Sequence, residues 1–214
     1  MSALVILCRH GNTFAKGDKV VMIGAGEDLP LTEEGLAQGD ELGQWLAREA
    51  LPISRVIAGP LKRTRQFAER VIIKAAPTVV CEVDERLKEL DYGAWSGLSD
   101  AEIMQRFGAE ALRAWREDAA WPAEANFKPS EEAVVSQCAS LLDELKASTS
   151  VSVVVTSNGR LRQFGKLLGQ RGGAGSAPAA VSTGAACVLR WSGSEWRVIA
   201  WNAKPAALNA LPLT

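Results

Sequence analysis

Leu4, Val5, Ile6, Leu7, Cys8, Arg9, His10, Gly11, Asn12, Thr13: five apolar residues run directly into a cation, an imidazole and a glycine. A short unbroken apolar run bounded by such residues predicts a strand buried on both faces, as in a parallel sheet covered by helices. Open α/β sheets bind ligands outside the carboxyl ends of their strands, so this run would deliver Arg9, His10 and Gly11 to the binding edge. His10 is the only histidine among 214 residues. An imidazole can attack phosphorus, a guanidinium can hold two phosphoryl oxygens, and a residue without a side chain lets backbone N–H groups approach an anion. Together they point to a phosphoryl group. A lone histidine beside a strand also fits a buried structural residue, so the choice rests on the rest of the chain.

Working outward, strand-like runs alternate with helix-like periodicity. A helix is expected over about Glu33 to Ala50, with Thr32 as cap, Glu33 and Glu34 at the positive end of its dipole, and Leu31 stapled onto Leu36. A short strand, Arg55 to Ala58, runs into Gly59 and Pro60, and Pro60 suits the first turn of a helix reaching Ala75. Val79 to Val83 reads as a third strand. The turn-rich segment Asp91 to Ser99 precedes a helical region from Asp100 to Arg116. Asp118 to Ser130, with Pro122 and Pro129, reads as a loop, either one able to cover the site or plain surface. A helix starting at Ser130 carries Val134, Cys138, Leu141, Leu142 and Leu145 on one face. Val151 to Thr156 is expected as a central strand that breaks at Ser157, Asn158 and Gly159 before a helix from Arg160 to Leu168. A Gly- and Ala-rich loop follows over Gly169 to Ala180. Strands at Ala185 to Trp191 and Glu195 to Trp201 close a hairpin through Ser192, Gly193 and Ser194. The expected fold is one three-layer α/β/α domain spanning 1–214, with a mixed, mostly parallel sheet.

Composition narrows the function. Hydrophobic residues make up 47% and charged residues 23%, ordinary globular values, and the formal net charge of -1 supplies no global field for nucleic acid or an acidic membrane. An anion site must therefore be local. The opening apolar run is too short for a signal-peptide core or a membrane span, so a cytoplasmic location is the expectation. Cys8, Cys81, Cys138 and Cys187 lie in apolar patterns without the paired spacing of zinc ligands, and no metal or cofactor is expected.

Three strand-to-helix junctions converge on one sheet edge in this reading: Arg9 to Thr13, Gly59 to Arg65, and Ser157 to Arg162. Lys62, Arg63 and Arg65 stand in or beside a first helical turn, where backbone N–H groups and the dipole already favour an anion. An isolated basic cluster is usually a solvated face, but convergence with His10 favours a phosphate site. The seven tryptophans read as packing residues, with Trp95 alone placed beside the site.

These residues resemble the histidine phosphatase superfamily, which includes the cofactor-dependent phosphoglycerate mutases, over most of the chain. Arg9, His10, Gly11, Asn12 and Thr13 are similar to its Arg-His-Gly-x-Thr box. Pro30, Leu31, Thr32, Gly35 and Gln38 resemble a second segment, and Pro60, Leu61, Arg63, Gln66 and Ala68 resemble the one carrying its second phosphate-binding arginine. Leu87, Glu89, Asp91, Tyr92, Gly93, Trp95 and Gly97 resemble the segment with its proton-donating glutamate. The resemblance implies that His10 is transiently phosphorylated, that Arg9 and Arg63 hold the phosphoryl oxygens, and that Glu89 handles the proton. It departs from the family at Thr156 to Arg162, where Ser157 aligns with the family's second histidine.

The expected activity is hydrolysis of a small phosphomonoester, with His10, Glu89, Arg9 and Arg63 as the reacting set and Asn12, Ser157 and Asn158 as further phosphate contacts. Arg160 and Arg162 are weaker candidates, because a helix can turn either away. Loss of one preorganised donor costs on the order of 3 kcal/mol, about a hundredfold in rate, so slow turnover is expected. Ser157 as a nucleophile is disfavoured because no second histidine can serve as its base. The alternative is a degenerate protein that binds a phosphorylated ligand or inorganic phosphate without hydrolysing it. Mutase activity is disfavoured because it requires a long-lived phosphohistidine. These motifs do not encode the oligomeric state.

Overall fold

The structure, a computed structural model, describes residues 2–170 and 180–209. Six strands, β1 (Leu4–Arg9), β2 (Ile53–Ala58), β3 (Cys81–Val83), β4 (Val151–Thr156), β5 (Ala186–Trp191) and β6 (Trp196–Ala203), form one sheet in the order β3-β2-β4-β1-β5-β6. The first four run parallel, β5 is antiparallel to β1, and β6 is antiparallel to β5. Helices α1 (Glu33–Arg48), α2 (Lys62–Ala75), α3 (Asp100–Phe107), α4 (Ala109–Asp118), α5 (Glu131–Leu145), α6 (Asn158–Leu167) and α7 (Pro205–Leu208) complete it. The fold is thus the α/β architecture with a mixed, mostly parallel sheet.

The period-two geometry of β1 divides its side chains between two cores. Leu4, Ile6 and Cys8 pack with Trp45 and Leu46 of α1 and Phe67 of α2, while Val5 and Leu7 pack with Leu141 and Leu145 of α5 and Phe164 of α6. Helix starts follow their caps. Thr32 Oγ1 accepts the Gly35 N–H at 3.1 Å, Ser130 caps α5, and Ser99 forms a reciprocal capping box with Glu102. The loop after β1 is pressed onto α1, where a Cβ on Gly11 would lie 2.2 Å from the Gly35 carbonyl oxygen. No side chain larger than hydrogen fits there.

Several boundaries differ from the sequence reading. The expected helix over Asp100 to Arg116 is two helices, split at Gly108, whose φ of 87° is open to glycine. Pro60 lies outside α2, whose N-cap is Leu61, and α6 starts at Asn158 rather than Arg160. One-turn 3-10 helices at Glu85–Leu87, Gly93–Trp95 and Ala123–Ala125, and helix α7, had no clear periodic signal. The Asp118 to Ser130 segment is no cover. Phe127 within it is 3% exposed and meets Tyr92, Trp95, Trp115 and Trp121 edge-on at 5.0 to 5.5 Å, so burying that ring draws the segment inward. Residues 171–179 of the expected Gly169 to Ala180 loop lie outside the described residues. No helix among the described residues is long and apolar enough to cross a membrane.

Candidate active site

Adjacent strands bring the predicted junctions together. The His10 N–H donates to the Thr156 carbonyl at 3.1 Å, and the Gly59 N–H donates to Val155 at 3.0 Å, so β1, β4 and β2 end side by side. The first turn of α2 adds Arg63, the first turn of α6 adds Asn158, and the segment after the 3-10 turn at Glu85–Leu87 adds Glu89. Arg9, His10, Asn12, Arg63, Glu89 and Asn158 line a single cavity of about 620 Å³.

His10 is only 5% exposed, and its Nδ1 lies 2.8 Å from the Gly11 carbonyl oxygen. A carbonyl only accepts, so Nδ1 carries the proton and Nε2 keeps its lone pair. Burial first, then the charges of Arg9 and Arg63, hold the imidazole pKa well below its usual value, against the opposing pull of the Gly11 bond. The ring is therefore neutral near pH 7.

The cations are anchored through their tips. Arg9 Nη1 donates to the Val181 carbonyl at 2.8 Å, while Arg63 donates through Nη1 to Glu27 at 2.7 Å and through Nη2 to Gly24 at 3.1 Å. Each retains a buried Nε–H without a protein acceptor. Asn12 is oriented by its neighbours. Its Oδ1 accepts from Thr183 Oγ1 at 2.5 Å and from Gln38 Nε2 at 3.4 Å, which assigns the amide NH2 to the other side. The Asn12 N–H donates to Gln38 Oε1 at 3.0 Å. Asn158 Oδ1 accepts the Val181 N–H at 3.0 Å, and Gly184 N–H donates to Arg9 and His10 carbonyls. Residues 181–184 thus fasten three parts of the site.

Glu89, 5% exposed, accepts the Leu90 N–H at 2.9 Å and the Gly159 N–H at 3.2 Å. It therefore sits at the N-terminus of α6, where the dipole favours a carboxylate. Tyr92 stays protonated, its pKa raised by burial and by the nearby Glu89 charge.

Of the other candidates, Ser157 and Arg160 do not line the cavity and Arg162 does. Ser157 occupies the N-cap position of α6 but makes no side-chain cap bond, and its buried hydroxyl, without a partner, does not line the cavity. Arg160 turns away to the Lys88 carbonyl and Gln137, both at 2.6 Å. Arg162 lines the cavity, donating to the carbonyls of Trp115 at 3.0 Å and Arg116 at 2.5 Å, with its guanidinium 5.4 Å from the Trp115 ring centre. Trp95 is buried in the aromatic cluster, and Trp115 lines the cavity in its place. Trp115, Arg116 and Val20 to Ile23 were missed because helix periodicity and loop composition say nothing of which cavity a segment borders. Among the described residues no cluster of His, Cys, Asp or Glu could hold a metal.

The profile of the histidine phosphatase superfamily (branch 1) matches residues 5–204. A 2,3-bisphosphoglycerate-dependent phosphoglycerate mutase of Elusimicrobium minutum is 31% identical over 52% of this chain and 45% of its own length. Phosphoserine phosphatase 1 of Hydrogenobacter thermophilus is 31% identical over 61% of this chain and 60% of its own. The chain spans about half the length of the first curated relatives it matches. Among solved structures, a mycobacterial glucosyl-3-phosphoglycerate phosphatase superposes with a TM-score of 0.74 at 26% identity, covering 94% of this chain and 99% of that one. By the profile match and these likenesses, the chain belongs to the histidine phosphatase superfamily, branch 1.

Proposed function

We propose that this protein hydrolyses a phosphomonoester through a phosphohistidine on His10. The observation that carries the reading is the His10 tautomer: a neutral, buried ring with Nδ1 tied to Gly11 leaves Nε2 as the nucleophilic atom between two arginines. Nε2 would attack phosphorus in line as the P–O ester bond breaks. Arg9, Arg63 and the Asn12 amide would neutralise the equatorial oxygens. Glu89, having taken the proton that the bound phosphomonoester monoanion carries, would give it to the departing alkoxide, then take a proton from the water that cleaves the P–N bond, returning His10 and releasing inorganic phosphate. Relatives described as phosphatases, including a mycobacterial enzyme solved with inorganic phosphate, support this chemistry. Four free cysteines fit a reducing, cytoplasmic setting.

In this reading Ser157 stands where the family's second histidine would be, and that loss makes turnover slow. The same feature favours the second reading, a phosphate-binding protein without turnover, because the buried Ser157 hydroxyl offers the cavity nothing. The deciding experiment is rapid quench with a ³²P-labelled ester. Acid-labile, base-stable label should accumulate on the wild-type chain and vanish in His10→Ala together with hydrolysis. Phosphate binding without label or product would establish the binder, and parental turnover in His10→Ala would refute the mechanism.

A further inference from the structure

The cavity is much larger than its phosphate end, and its outer part has a different chemistry. At 620 Å³ it matches sites that enclose drug-sized ligands. Beyond the phosphate-facing residues the lining includes Phe14, the consecutive apolar residues Val20, Val21, Met22 and Ile23, and Trp115. Val20 is 64% exposed, an apolar side chain left in water at the rim of a site. The wall is held in place. The Met22 N–H donates to Leu98 at 2.8 Å, the Gly97 N–H donates back to Met22 at 2.9 Å, and Lys19 pairs with Glu102 at 3.0 Å. A fixed apolar wall binds without first having to be ordered.

The two further cations of the lining are already engaged, Arg162 by the carbonyls of Trp115 and Arg116. Arg116 pairs with Asp100 at 2.6 Å, both lining the cavity. An acidic leaving group would have to break that pair or lie against the Asp100 carboxylate. From this juxtaposition we infer that the leaving group is an uncharged alcohol with a bulky apolar body, seated between Val20 to Ile23 and Trp115, and larger than a three-carbon acid. The inference rests on the reading that the inner end holds a phosphoryl group. It makes this apolar wall the specificity-determining surface.

A homologous series of n-alkyl phosphates, ethyl to octyl, tests it, because leaving-group acidity is nearly constant while apolar contact grows. Burial of each methylene should raise kcat/KM about threefold to fourfold until the wall is covered. 3-Phosphoglycerate should be a worse substrate than butyl phosphate, and Val21→Asp should flatten the series. A flat series, or a preference for 3-phosphoglycerate, overturns the inference while leaving phosphatase activity intact. Calorimetric binding of n-alkylphosphonates, methyl to octyl, gives a second slope independent of turnover. If no ester is hydrolysed yet phosphonate affinity climbs with chain length, the hydrolase reading fails and the apolar subsite stands; a flat phosphonate series refutes the subsite.

Discussion

Gly159→Ala attacks the proposed proton donor without touching its carboxylate chemically. A Cβ at this position would lie 2.5 Å from Glu89 Oε1, 2.6 Å from the Tyr92 hydroxyl and 3.0 Å from Leu90 Cδ1. Ordinary contact begins near 3.4 Å, so the carboxylate must retreat by about 0.9 Å. Oε1 accepts the Leu90 N–H at 2.9 Å and Oε2 the Gly159 N–H at 3.2 Å, and a shift of that size breaks at least one of these two bonds. A hydrogen bond to a charged group contributes roughly 1.5–3 kcal/mol, whereas replacing glycine by alanine in a helix returns up to about 1 kcal/mol. With modest overpacking strain, a net destabilisation of about 1–3 kcal/mol is expected, read as a lower midpoint in urea. The kinetic effect should be larger. General acid catalysis contributes about 10²–10⁴-fold, and displacing the acid by nearly 1 Å should cost about a hundredfold in kcat for alkyl esters. An aryl ester, which departs without needing a proton, should lose less than about tenfold. Glu89→Gln should show the same asymmetry with a smaller stability change. If Gly159→Ala keeps parental rates on both ester types, Glu89 does not act from its seat on α6.

Three further outcomes follow from the same site. Because His10 is the sole histidine, a long-range ¹H–¹⁵N correlation spectrum shows one imidazole, expected with Nδ1 protonated and Nε2 bare from neutral pH to well below pH 6.5. Its folded pKa is depressed, so the unfolded state binds the extra proton; His10's contribution to stability is present above pH 6.5 and is lost as pH falls toward the folded value. A midpoint near 6.5 would refute the burial argument. Ser157→Ala should leave stability unchanged or slightly raised, since it deletes a buried hydroxyl without a partner, whereas loss of a working cap costs about 1 kcal/mol. If Ser157 stands in place of the family's second histidine, as proposed, Ser157→His should raise kcat/KM about tenfold to a thousandfold, reduced by any overpacking at this buried position. A folded, phosphate-binding Ser157→His protein with no gain would remove that explanation.

What the sequence disclosed was local chemistry with a short reach. The run from Leu4 to Cys8, the Thr32 cap and the break after Thr156 depend on neighbouring residues, and each placed a strand end or helix start within a residue or two. Those placements bring Arg9, His10, Asn12, Arg63, Glu89 and Asn158 to one cavity. Contacts between distant segments were not readable. Phe127 draws its loop into the aromatic cluster because Tyr92, Trp95 and Trp115 from two other segments, and Trp121 of its own, surround it, and Trp115 reaches the cavity because Gly108 bends the chain between α3 and α4. Nor does the sequence around Arg160 show that Lys88 and Gln137 wait to take its guanidinium.

The fastening at residues 181–184 gives the molecule an order of assembly. Val181 receives Arg9 and donates to Asn158, Thr183 holds Asn12, and Gly184 donates to the carbonyls of Arg9 and His10, so Arg9, His10 and Asn12 are completed by chain made about 170 residues later. A nascent chain that has just left the ribosome as far as α6 could pair four parallel strands yet possess no finished pocket. Until β5 arrives, β1 would present an open edge bearing apolar side chains on both faces. Closing the cavity and shielding that edge both wait on the same stretch of chain, so an interruption of synthesis before residue 181 leaves the cavity unfinished and the β1 edge exposed.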